Sequence, residues 1–277
     1  MKRYHYPGVE VFQSALFQTN ATIVETDDLL LLVDPTWLPH EITEIKEYVK
    51  AARGQRQLYL LFTHSDFDHL IGYSAFQDAV TIGSRALAEE TDKQRKLDQI
   101  HAFDAEYYIE RDVPVAYPAI DHVIERDGQI LTIGQTKLTF YLAPGHTACG
   151  VFTLVEPTGV WLAGDYLSDF ELPLIEHSAA AYEETLGKAQ RMISLHQVGS
   201  LVPGHGAPTG DTEEMERRIA MASEHLQQLR QAVRDGDEQA LVRLEAQHAF
   251  PSAFTREGHL GNIRMIREEE QGLESQE

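Results

Sequence analysis

The chain has 277 residues, with 23 Lys+Arg against 44 Asp+Glu and a formal charge of −21 at pH 7. At 43% hydrophobic and 24% charged, it is neither a disordered chain nor a collagen-like fibre, and no apolar run approaches the roughly 20 residues that cross a bilayer. A field this negative repels phosphate backbones and anionic lipid, which argues against nucleic-acid and membrane partners and for a small-molecule substrate, homo-oligomerisation being left open.

The start of the chain carries Lys2 and Arg3 but no apolar stretch behind them, so it does not read as a secretory signal. Residues 9–33 read as short strands. Segments 21–26 and 29–33 flank Asp27-Asp28 as a hairpin, and the second, apolar throughout, has the character of a strand buried on both faces. Helical spacing of Ile42, Ile45, Tyr48, Val49 and Ala52 predicts a helix over 39–53, stopped by Gly54, before a buried strand over 58–62. Residues 84–118 are polar, dotted with aromatics and weakly periodic. They read as helix plus a long connection, placed to form a pocket wall or lid. Strands are expected at 129–133, 137–142, 151–155, 160–163 and 200–202, helices at 180–196 and 211–235, and a helical tail from about 237. In that tail Glu268, Glu269, Glu270, Glu274 and Glu277 read as a solvated end. With no repeat and no low-complexity linker, a single domain over 1–277 is expected.

The chemistry lies at the strand ends. His64, Asp66, Asp68 and His69 fall within six residues just after the strand at 58–62, where alternate side chains can converge. His146, Asp165 and His205 follow three later strands, each preceded by glycine. Seven N and O donors without a thiolate are too many for one tetrahedral zinc and suit two divalent ions sharing a carboxylate.

The order His64-x-Asp66-x-Asp68-His69, then His146, Asp165 and His205, resembles the metal site of the metallo-β-lactamase superfamily over about residues 10–210. The resemblance implies an α/β four-layer αββα sandwich, with the metals at one edge of two sheets and a C-terminal helical extension over about 211–277. It further implies that His64, Asp66 and His146 hold metal one, that Asp68, His69 and His205 hold metal two, and that Asp165 bridges. Asp68 and Asp165 would be catalytic groups as well as ligands, and Asp34 a structural residue. The implied activity is hydrolysis of an ester, thioester, lactone or phosphoester by metal-bound hydroxide, in the cytoplasm.

Most members have His where this chain has Asp66. A third carboxylate lowers the net charge of the pair of ions and hardens the site, which favours iron or manganese over zinc. Three readings of Asp66 compete: a dinuclear Fe, Mn or mixed site, a site with metal one weak or empty, and a non-catalytic scaffold. Flavodiiron proteins, a redox branch, also carry a carboxylate there, so a di-iron oxidoreductase centre stands as the alternative activity.

Outside the ligands, Cys149 reads as a small buried residue, and the one cysteine fits a reducing cytoplasm. Glu171 and His177 read as surface-loop residues. Arg256 and His259 are candidates for binding an anionic substrate group, near Phe254 and Asn262. His5, His40, His101, His122, His196, His225 and His248 have no convergent partner in the sequence.

Overall fold

The structure, a computed structural model, describes residues 1–274. One sheet holds seven strands in chain order: β1 (Lys2–Tyr6), β2 (Val9–Gln13), β3 (Asn20–Glu25), β4 (Leu29–Val33), β5 (Gln57–Leu61), β6 (Val80–Ser84) and β7 (His122–Ile124). β1 to β4 are antiparallel neighbours, and β4 to β7 run parallel. The second sheet has the order β12-β11-β10-β9-β8, from β8 (Gln129–Ile133), β9 (Thr136–Leu142), β10 (Val151–Glu156), β11 (Val160–Leu162) and β12 (Ser200–Val202).

Strand β4 shows why the sheets stack. Its residues alternate between faces, and both faces are apolar. Leu29, Leu31 and Val33 pack with Phe140, Val155 and Leu162 between the sheets. Leu30 and Leu32 point the other way, against Ile42, Ile45 and Val49 of α1 (Pro39–Arg53). The outer face of the second sheet does the same. Phe152, Leu154 and Trp161 pack on α5 (Ala179–Leu195) and α6 (Thr212–Asp235), with Ile263 and Ile266 behind them. Helix, sheet, sheet and helix therefore form the four layers expected from the resemblance. Short helices α2 (Phe67–Leu70) and α3 (Arg85–Ala88), with α4 (Lys93–Glu106), lie on the first side, and α7 (Glu238–Glu245) and α8 (Ala253–Glu274) on the second.

One edge collects the ends of β4, β5, β11 and β12, where the two sheets are tied by Val151 N donating to Thr63 O at 2.8 Å and Asn20 N to Gly204 O at 2.7 Å. The segment 84–118 is a wall: Ile100, Leu97 and Phe103 of α4 pack around Trp37.

Three strands depart from the sequence reading. β1 pairs along β2, while β6 and β7, which the sequence reading did not place, add to the sheet on either side of the segment expected to be helix and connection. The acidic tail is also not simply a solvated end. The Glu269 carboxylate accepts from Ala179 N at 2.8 Å and Ala180 N at 3.2 Å, capping α5, and Glu270 pairs with Arg230 and Arg234 at 2.7 and 2.8 Å. Glu277 lies outside the described residues.

Candidate metal centre

Four turns deliver the donors to the sheet edge. After β5, Asp66 precedes the single turn of α2, so Asp68 and His69 converge by helical turning rather than by the strand alternation the sequence suggested. Gly145, at φ 131°, precedes His146. Gly204 precedes His205, and a Cβ there would fall 2.1 Å from Asp165 Oδ1, so only glycine lets this loop close on the carboxylate.

All seven predicted donors meet. His64, Asp66, His146 and Asp165 form one group and Asp68, His69 and His205 a second, with donor atoms in each within 4.8 Å of one another. His146 Nε2 lies 3.1 Å from Asp66 Oδ2 and 3.4 Å from Asp165 Oδ2, and His64 Nε2 lies 3.6 and 3.5 Å from the same atoms. In the second group, His69 Nε2 and His205 Nε2 are each 3.4 Å from Asp68 Oδ2. Asp165 reaches into this group too, Oδ1 lying 3.1 Å from His69 Nε2 and Oδ2 3.2 Å from His205 Nε2. Ligands about 2.0–2.1 Å from one ion on tetrahedral vertices lie about 3.4 Å apart, so these separations are those of donors around an ion.

The other ring nitrogen of each histidine fixes its orientation. His146 Nδ1 donates to Leu174 O at 2.8 Å and His205 Nδ1 to Phe17 O at 2.9 Å, and a carbonyl can only accept. His69 Nδ1 donates to Asp34 Oδ2 at 2.9 Å. Thr63 Oγ1 donates to the same oxygen at 2.5 Å and so accepts from His64 Nδ1 at 3.0 Å. All four rings thus turn an Nε2 lone pair inward, the arrangement that orients metal-binding histidines. His64 Nε2 and Asp165 Oδ1, both buried, have no hydrogen-bond partner. The residues fit a pair of divalent cations.

Electrostatics agree. Burial opposes charge on each group, yet Asp165 and its neighbours hold His69 and His146 well above the usual imidazole range. His205, beside Asp165 and Glu171, is pushed up to about 10. Against the same burial, the surrounding histidines hold Asp66 and Asp165 well below the usual carboxylate range. The pocket favours positive charge wherever a group can carry it.

Asp66 has a partner the sequence did not reveal. While Oδ2 faces the histidines, Oδ1 accepts from Lys96 Nζ of α4 at 2.8 Å, and the lysine side chain is only 5% exposed. The pair is neutral, as the superfamily's usual His is neutral. This corrects the expectation that Asp66 leaves the ions with less net charge: Lys96 restores it, and only the change of donor atom from nitrogen to oxygen remains.

Beside the donors opens a cavity of about 660 Å³, walled by Phe17, Trp37, Phe67, Phe170, Phe250 and Phe254. Lys96 and Gln99 of α4 also line it. Glu171, expected on a surface loop, faces the cavity with Oε1 3.9 Å from His205 Nδ1, and burial pushes its carboxyl up to about 7. His259 lines the cavity, buried, with neither ring nitrogen hydrogen-bonded, and His248, given no role from sequence, lines it too. Arg256 does not line it. Its side chain is 70% exposed and faces Glu245 at 3.8 Å, because α8 presents one face to the cavity and Arg256 lies on the other. His177 is exposed, and Cys149 is buried against Ser65, outside both donor groups.

Asn262 braces the centre from behind. Its Nδ2 donates to Pro173 O at 2.7 Å and its Oδ1 accepts from Ile175 N at 2.8 Å, holding the loop whose Leu174 carbonyl orients His146. Each buried group left without a partner costs about 1–3 kcal/mol. Asn262→Ala should therefore lower the unfolding free energy by about 2 kcal/mol or more in urea titrations, and weaken metal retention at the His146 group.

A four-layer αββα sandwich with paired His/Asp donor groups at one sheet edge defines a metal-binding fold of the metallo-β-lactamase type. The chain belongs to that family: the model of the metallo-beta-lactamase superfamily matches residues 15–222. No curated protein sequence matches. Solved structures share the fold. A metallo-beta-lactamase family protein from Thermus thermophilus superposes with a TM-score of 0.66 at 18% identity, covering 95% of this chain and 94% of its own. An archaeal superfamily protein from Sulfolobus tokodaii gives 0.57 at 18%, covering 95% and 100%. A double mutant of the sec-alkyl sulfatase PisA1 gives 0.66 at 13%, covering 95% of this chain and 49% of the sulfatase.

Proposed function

We propose that this chain is a metal-dependent hydrolase with a dinuclear centre, cleaving an ester, thioester, lactone or phosphoester bond in a small molecule. The observation that carries the reading is Asp165, whose carboxylate reaches donors of both groups. Two divalent ions bound there would supply water acidic enough to ionise near neutral pH and would polarise the oxygen of the scissile group. The chain's own residues prepare the site for this. The Nδ1 hydrogen bonds hold four imidazoles in place, Asp68 and Asp165 turn their carboxylates into the shared space, and Trp37 and Phe67 line the cavity beside it. The charge of −21 supports a small-molecule substrate over nucleic acid. The one cysteine is buried and supports a cytoplasmic setting, and among the described residues no helix is long and apolar enough to cross a membrane.

The test is to strip metal with a chelator, assay chromogenic esters and phosphoesters, and then restore zinc, manganese or iron without oxygen. Hydrolysis should vanish on stripping and return on reconstitution. Consumption of oxygen or nitric oxide without hydrolysis would replace this reading with the di-iron redox one, and inertness in every assay with a non-catalytic scaffold.

A further inference from the structure

Resting on the hydrolytic reading, we propose that the substrate is an uncharged carboxylic ester, thioester or lactone whose alkyl or aryl group lodges in the aromatic cavity. The first observation is the mouth of that cavity. Phe17, Phe250 and Phe254 are 42%, 58% and 53% exposed, although large apolar side chains are normally covered. They are grouped rather than scattered: Phe17 and Phe254 have ring centroids 5.3 Å apart, Phe250 and Phe170 5.2 Å, and Phe17 stacks on Trp37 at 6.1 Å. A contiguous exposed apolar patch marks a binding surface, and this one runs down to the donor groups within one cavity.

The second observation is charge. Asp66, Asp68 and Asp165 would be spent on the cations, which leaves Glu171 and Glu176 as the free carboxylates of the cavity, and among the described residues its one ammonium, on Lys96, is committed to Asp66. Arg256, the cation the sequence offered for an anionic substrate, is turned away. Away from the ions, an anionic tail would face Glu171 and Glu176 with no free cationic side chain among the described lining residues, at a cost in desolvation and repulsion. A neutral acyl or aryl group meets no such penalty.

The reaction balances without a co-reactant other than water. A bond forms between the water oxygen and the acyl carbon, the bond from that carbon to the leaving oxygen or sulfur breaks, and a proton from water ends on the leaving group.

The experiment compares p-nitrophenyl acetate, butyrate, hexanoate and octanoate with p-nitrophenyl phosphate and with the mono-p-nitrophenyl ester of adipic acid, whose tail ends in a carboxylate. Burial of each methylene should raise kcat/KM about threefold, and so roughly 10²-fold from acetate to hexanoate. The adipate ester should be at least about tenfold slower than the hexanoate, and the phosphate slower still. Replacing the two most exposed of the three rings, Phe250→Ala with Phe254→Ala, should cut the gain per methylene to less than about twofold. A flat series, faster turnover of phosphate or adipate, or an unchanged slope in the double variant would overturn the proposal while leaving hydrolysis intact. If no compound turns over, the hydrolytic reading falls, and calorimetry with N-methyloctanamide and its ω-carboxylate analogue decides the cavity's chemistry. At least tenfold tighter binding of the neutral amide supports the proposal, and equal binding or none overturns it.

Discussion

Replacing Asp165 by alanine should strip both metal positions at once and reduce hydrolysis by more than about 10³-fold. Losing a mere outer partner of a ligand costs about 10–100-fold in metal affinity, and Asp165 is the carboxylate that meets donors of both groups, at 3.1–3.5 Å from His64, His69, His146 and His205. The control is His205→Ala. His205 belongs to the group with Asp68 and His69 only, so its loss should deplete one position and spare the other. Elemental analysis after dialysis against metal-free buffer reads the difference. Equal metal content in wild type and Asp165→Ala would contradict the bridging role.

The second large effect concerns Asp66. Asp66→His puts the superfamily's usual residue in place, yet it should damage this protein because it strands Lys96. That ammonium is buried, and among the described residues no second carboxylate forms an ion pair with it. Breaking a buried pair by removing one partner costs about 3–5 kcal/mol. The metal-free single variant should therefore unfold at markedly lower urea, and Lys96→Met added to it should recover most of the loss. A double-mutant cycle over wild type, both single variants and the pair measures the coupling directly. Equal stability of Asp66→His with and without Lys96→Met would show that the ion pair does not matter. Once Lys96 is compensated, imidazole in place of carboxylate should still shift metal preference towards zinc, whereas the oxygen donor of wild type favours manganese or iron. The ranking rests on the donor atom alone, since the charge is balanced in both forms.

The contrast between Asp66 and Lys96 shows what was legible in the sequence. The metal donors were visible because each follows a strand, and strands such as Leu29-Leu30-Leu31-Leu32-Val33 declare themselves by being apolar on both faces. Lys96 was not, because it sits in Lys93-Gln94-Arg95-Lys96, a polar run that reads as a solvated helix face and lies thirty residues from its partner. The missed strands have a similar cause. β1, Lys-Arg-Tyr-His-Tyr, is an edge strand without an apolar face, and β7 is three residues long and stands at the other edge. β1 is held by β2 across the turn at Pro7-Gly8 and β7 by the distant β6, so the pairing of each comes from its neighbour rather than from its own pattern. Glu171 and Arg256 were misplaced because a single sequence does not say which side of a loop or helix faces a cavity that other segments build.

The central claim, two cations sharing Asp165, is tested most directly by anomalous diffraction from metal-replete crystals at the absorption edge of the bound element. Two peaks are predicted, one among His64, Asp66 and His146 and the other among Asp68, His69 and His205, each about 2.0–2.2 Å from an oxygen of Asp165. A single peak, or two peaks of which only one lies against Asp165, would contradict the account.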